Sequence, residues 1–345
     1  MLTKRIPLYY LLLAVLLGVA IAFVFFKFAF QITAAGASSP VSKNKTIAAG
    51  AENTSADCNV KSVRLGGFSY VNPLLYSDRE CESEDLFGIK QEITNYIESE
   101  KSKGTLSTAS VYLRVPGKGQ WMAINADEMY HPASLNKVPI IITYMHMSEN
   151  YNHLLDQKLF FAKHDPTLPV QTFTSKTLAP GKNYTLGELL HAMIAYSDND
   201  ATLLLLQHIN LEYYNKTFTD LSLPKPSFEF DKFFISARQY SLFFRVLYNA
   251  SYLSDASSEY AMSLLAQCNF KDGLLKKLPA DVKAVHKFGE SGYENVRELH
   301  ESAIIYLNNN PYLITVMTRG KDQKELSEIL SNISEMVYNK FRTNS

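Results

Sequence analysis

Three short clusters hold the residue types that acyl transfer needs. The first is Ser134-Leu-Asn-Lys137, preceded by His131-Pro132-Ala133 and followed by the apolar run Val138 to Ile142. On a helix, positions three apart share a face, so the Ser134 hydroxyl and the Lys137 amine are expected to meet. A free serine is a weak nucleophile and needs an adjacent base. Burial and nearby cations disfavour a charged lysine, which leaves an amine able to take the serine proton. The second cluster is Ser197-Asp-Asn199, between two leucine-rich helical segments. Ser197 would relay a proton to a leaving group, Asn199 would bond a substrate amide, and Asp198 would tie the loop to backbone amides. The same triplet is also an ordinary helix N-cap. The third is His286-Lys-Phe-Gly-Glu290, at the end of a strand pattern. Lys287 would place positive charge beside the nucleophile, and Gly289 would let a substrate approach the strand backbone closely.

The surrounding pattern says what must position these groups. Phe87 to Lys103 spaces Ile89, Ile93, Tyr96 and Ile97 on one helical face. Two β-rich runs, 107–115 and 120–125, are split by Pro116-Gly-Lys-Gly119, a hairpin signal. Helical patterns follow at 134–146, 186–195, 200–208, 237–248 and 259–266. Strand patterns return at 282–288, 300–306 and 312–318, and an amphipathic helix over 323–341 closes the segment. This order predicts an α+β fold: an antiparallel sheet built from both ends of the segment, flanked by N- and C-terminal helices, with a mostly helical inserted lobe. A cleft between the two is the expected place for a site.

S-x-x-K, then S-D-N, then K-x-G, in this order, resembles the serine β-lactamase and penicillin-binding protein superfamily, most closely its class A β-lactamase branch. The resemblance runs from about Phe87 to the C-terminus. It implies that Ser134 forms an acyl-enzyme, with Lys137 as base, Ser197 as proton shuttle and Lys287 stabilising charge. It makes Asn199, Phe288, Gly289 and Glu290 substrate-binding positions. The oxyanion hole would be the backbone N–H groups of Ser134 and Glu290. No metal and no cofactor are implied. The implied substrate is a β-lactam or a peptidoglycan peptide.

Two departures bear on that substrate. The class A glutamate that positions the deacylating water has no counterpart motif, and the stretch from Asn199 to Arg238 is about a dozen residues too short for its loop. Glu229 and Asp231 are the acids near that place, with surface carboxylates as the default reading. Phe288 stands where the superfamily usually has a hydroxyl that helps hold the substrate's carboxylate, and phenylalanine donates no hydrogen bond. Arg297 is a candidate substitute, while the Glu290 carboxylate opposes an anionic ligand. Three alternatives therefore stand beside a β-lactamase: a D,D-peptidase, an esterase and a non-catalytic penicillin-binding-like sensor.

Composition excludes other classes. The 34 basic and 34 acidic side chains balance to a net charge of +0, so nothing steers the chain onto nucleic acid. Cys58, Cys81 and Cys268 lack metal-site spacing; Cys58 and Cys81 are candidates for a disulfide, or all three stay reduced, and Cys268 reads as a core thiol. Lys4 and Arg5 precede the uncharged run Leu8 to Phe26, which at about 1.5 Å per residue roughly crosses a hydrocarbon core. The reading is a signal anchor over 1–30, a linker over 31–57, a pre-domain segment over 58–86 and the hydrolase domain over 87–345. The anchor leaves everything beyond it outside the membrane. A cleaved signal with secretion, using Ala35-Gly-Ala37, is the alternative.

Overall fold

The computed structural model describes residues 58–173, 176–227, 232–293, 295–307 and 310–342. The expected membrane anchor and linker, and Glu229 and Asp231, lie outside the described residues. Among the described residues no helix is long and apolar enough to cross a membrane.

The first described elements are the hairpin strands β1 (Val60–Arg64) and β2 (Leu74–Arg79), closed by a Cys58–Cys81 disulfide. Helix α1 (Phe87–Lys103) buries Ile89, Ile93 and Ile97 at helical spacing and stops at Gly104, whose positive φ suits a helix end. The strands β3 (Leu106–Val115) and β4 (Gln120–Ile124) pair around the turn Pro116–Lys118, as the proline and glycines there predict. After the short β5 (Met129–Tyr130), a 3-10 turn over Ala133–Asn136 leads into α2 (Lys137–Ser148).

The inserted lobe comprises β6 (Lys158–Phe161), β7 (Lys182–Thr185), α3 (Leu186–Ala195), α4 (Asn199–His208), α5 (Leu211–Asp220), β8 (Ile235–Ser236), α6 (Ala237–Tyr248) and α7 (Asp255–Leu265). Capping boxes start α3, through Thr185 and Glu188, and α6, through Ser236 and Gln239. The strands β9 (Lys283–Tyr293), β10 (Val296–Tyr306) and β11 (Tyr312–Gly320) and helix α8 (Gln323–Arg342) complete the chain.

The main sheet is antiparallel in the order β4-β3-β11-β10-β9, so elements from both ends of the segment build it, as the pattern order predicts. Strand β11 is apolar on both faces because each face meets a core. Leu313 and Met317 pack toward the helical lobe, whereas Ile314 and Val316 pack with residues of α1 and α8. This is an α+β architecture, with an antiparallel sheet flanked by helices and a mostly helical inserted lobe.

Several bounds differ from the sequence pattern, for identifiable reasons. Helix α7 starts earlier because the Ser254 hydroxyl accepts from Ser257 N–H and caps it. Strand β9 continues past Phe288 because its ladder with β10 continues to Tyr293↔Val296. Helix α5 escapes the apolar pattern because its buried face, Tyr214, Thr217 and Phe218, includes a threonine.

Candidate active site

The turn carrying Ser134 is held by three contacts. Leu135 N–H donates to Pro132 O at 2.9 Å, the Tyr240 phenol donates to Leu135 O at 3.0 Å, and His300 Nε2 donates to His131 O at 3.1 Å. His300 Nδ1 accepts from Thr318 N–H, which assigns the ring proton to Nε2. Ala133, just before the serine, has φ 49°, a left-handed conformation that costs a non-glycine residue energy and marks a constrained turn. The neighbouring strand permits this seat through Gly289: a Cβ there would lie 2.7 Å from Pro132 O and 2.9 Å from Leu135 N. The close approach that Gly289 allows includes that of the serine's own turn.

Lys137 opens α2, one turn beyond Ser134, and both line one cavity of about 750 Å³. Its amine does not bond Ser134 here. It reaches Ser197 O at 2.6 Å, Asn199 Oδ1 at 2.8 Å and Ser197 Oγ at 3.1 Å. All three partners are neutral. Burial first, and the Lys287 charge second, hold the amine well below the usual lysine range. Once neutral, its two N–H groups suit the two short contacts, and its lone pair is left to accept a proton.

Ser197 is fully buried and sits between two lysines, for Lys287 Nζ lies 3.0 Å from the same hydroxyl. Burial lowers Lys287 to about 8, with the Cys268, Glu301 and Glu290 groups opposing in part. A hydroxyl that accepts from one amine and can donate to the other is a route for a proton. Asp198 caps α4 as the sequence suggests, its carboxylate accepting from Ala201 N–H at 2.7 Å and Leu178 N–H at 2.9 Å. The loop turns at Ser197 with φ 54°.

On β9, Lys287 reaches the Ser197 hydroxyl and Gly289 lies against the Ser134 turn. The structure does not bring Phe288 to the cavity. Its ring stacks on Phe270 at 4.1 Å and meets Phe173 edge-on, in the core behind the sheet. Glu290 does line the cavity, and its carboxylate accepts from Thr172 N–H and Phe173 N–H, each at 3.0 Å. Arg297 lines it too, donating to Val296 O at 3.4 Å.

Sequence reasoning missed the segment 168–173. Gln171 Nε2 donates to Ser197 O at 3.0 Å and lies 3.4 Å from Asn199 Oδ1, while Asn199 Nδ2 donates to Pro169 O at 3.3 Å. No local pattern around Gln171 announces these contacts, which join positions far apart in the chain.

The sequence model of the beta-lactamase enzyme family matches residues 88–341. Among solved structures, a beta-lactamase from Chitinophaga pinensis superposes with a TM-score of 0.64 at 18% identity, covering 73% of this chain and 98% of its own. PBP-A gives 0.63 at 20% identity, covering 76% and 99%. A class A beta-lactamase from Bacteroides cellulosilyticus gives 0.62 at 18% identity, covering 74% and 99%. Identities this low speak for the fold. No curated protein matches the chain.

Proposed function

The chain belongs to the beta-lactamase enzyme family, and from that premise we propose that it is an acyl-serine hydrolase acting on β-lactam or related cell-wall amides. The observation that carries this reading is the buried, carboxylate-free pairing of Lys137 and Lys287 on one serine hydroxyl, in the cavity that Ser134 lines. Ser134 Oγ attacks the amide carbonyl and its proton passes to Lys137. The oxyanion is held by the backbone N–H groups of Ser134 and Glu290. Ser197 passes the proton to the departing nitrogen as the C–N bond breaks, Asn199 holds the acyl amide, and Lys287 stabilises the developing charge.

The second half of the cycle is slow in this reading. Among the described residues Glu290 is the carboxylate that lines the cavity, and it is engaged by two backbone N–H groups. With no second carboxylate lining the cavity among the described residues, an acyl-enzyme formed from a β-lactam is expected to persist, which is penicillin-binding behaviour. A mutant of the structural neighbour PBP-A has been solved as an acyl-enzyme complex with penicillin G. The Cys58–Cys81 disulfide supports an oxidising compartment. With the apolar run Leu8 to Phe26, it supports a domain tethered outside a membrane.

The test is to mix the full-length chain with a labelled penicillin and follow the adduct by mass. A long-lived adduct on Ser134, lost in Ser134→Ala, is expected. Rapid adduct loss with product release would instead mean an efficient β-lactamase, and no adduct with no turnover would sink the acyl-serine reading.

A further inference from the structure

The segment 168–173 is tied to both walls of the cleft. On the helical side, Asn199 Nδ2 donates to Pro169 O, and the Gln171 amide donates to Ser197 O beside the Lys137 amine. On the sheet side, the Glu290 carboxylate accepts from two successive backbone N–H groups, Thr172 and Phe173. Under the acyl-serine reading, on which this inference rests, Asn199 and the end of β9 are where a substrate amide would lie. The chain's own backbone already occupies part of that bonding capacity, and does so as an N–H donor toward Glu290.

We propose that Glu290 and Gln171 form a clasp that selects the ligand, favouring substrates that are uncharged or cationic beside the reacting amide over those that carry a carboxylate there. A ligand that opens the clasp must replace what it removes. An N–H or ammonium donor leaves Glu290 satisfied. A carboxylate sets two like charges together inside the cavity, where their repulsion is felt more than in bulk water. Phe288 faces the core behind the sheet, and the Ser291 hydroxyl, which lines the cavity on the same strand, already donates to the Glu298 carboxylate at 3.2 Å. Arg297, the guanidinium of the cavity wall, lies along Gly292, where a Cβ would come within 2.6 Å of it, and donates to the backbone.

The experiment compares the rate of Ser134 acylation by a penicillin, which is anionic, and by its uncharged methyl ester, using the full-length chain. Glu290→Gln is expected to raise the anion's rate by about tenfold or more and the ester's by less than about threefold, since only the anion feels the charge. Gln171→Ala loosens the clasp without changing charge and should raise both rates alike. An unchanged anion-to-ester ratio in Glu290→Gln overturns the selectivity. Hydrogen exchange reads the clasp without catalysis: the Thr172 and Phe173 amides should be protected in the wild type and lose protection in Glu290→Gln. Unprotected wild-type amides overturn the clasp. No adduct with either compound in any variant overturns the acyl-serine reading and the selectivity with it, while retained exchange protection would leave the clasp standing.

Discussion

His286 and Lys287 are neighbours on β9, both fully buried, and they leave the strand on opposite faces. Behind the sheet, His286 Nδ1 bonds Glu301 at 2.7 Å and its Nε2 bonds Cys268 O at 3.0 Å. Burial works against a charged ring there, but negative charge on the Cys268 sulfur and on the Glu301 carboxylate raises it, to about 10. Glu301 also accepts from Leu274 N–H, and Gly273 leaves no room for a side chain against it. On the cavity face, Lys287 and Lys137 have hydroxyl, carbonyl and amide partners and no carboxylate, so burial lowers both. One face pairs its charge and holds the fold; the other leaves its charges unpaired and so poised to move protons.

The comparison breaks first at Lys137. Lys137→Ala should cut the rate of Ser134 acylation by about 10²- to 10⁴-fold, the usual contribution of a positioned base. Thermal stability should hold or rise, since a desolvated amine is removed. A variant that loses stability in step with activity would place Lys137 with the structural face. Next in size is Glu301→Gln, which leaves a buried imidazolium without its carboxylate. Breaking such a pair costs about 3–5 kcal/mol, to be read by denaturant unfolding, while the folded protein still acylates. Loss of acylation with stability intact would reverse the assignment of the two faces. Gly289→Ala lies where the faces meet the Ser134 turn. Its Cβ would press on Pro132 O and Leu135 N, costing about 1–3 kcal/mol as overpacking does. Displacing the serine should also slow acylation by up to about 100-fold.

Much of this arrangement was legible in the chain because it is local. Phe87 to Lys103, Leu186 to Ala195 and Ala237 to Tyr248 carry their own apolar period, and two of them have capping boxes. Ser134 with Lys137, and Ser197 with Asn199, are each separated by less than a turn, so their proximity needs no tertiary information. What was not legible is long-range. Glu290 meets Thr172 and Phe173 from more than a hundred positions away, and Gln171 reaches Ser197 across a loop of no regular pattern. The role of Gly289 was visible as a need for space, but which neighbour fills that space is set by how the Ser134 turn packs on β9.

The two faces also part with pH, and this gives the smallest and sharpest effect. Acylation needs Lys137 uncharged, and its depressed pKa means that it loses its proton well below the usual lysine range as pH rises. The same reaction needs Lys287 charged, and that charge is present below about 8 and lost above it. The rate should therefore fall as pH rises through about 8, approaching tenfold per unit beyond it. His286 keeps its proton until about 10, so the ion pair behind the sheet persists through the window in which the cavity loses its cation. Stopped-flow acylation between neutral and mildly alkaline pH, with circular dichroism on the same samples, checks both halves. An alkaline limb near 8 with an unchanged spectrum is expected. A limb that appears only near 10, together with a change in the spectrum, would mean that the rate follows the paired face and that Lys287 carries no functional charge.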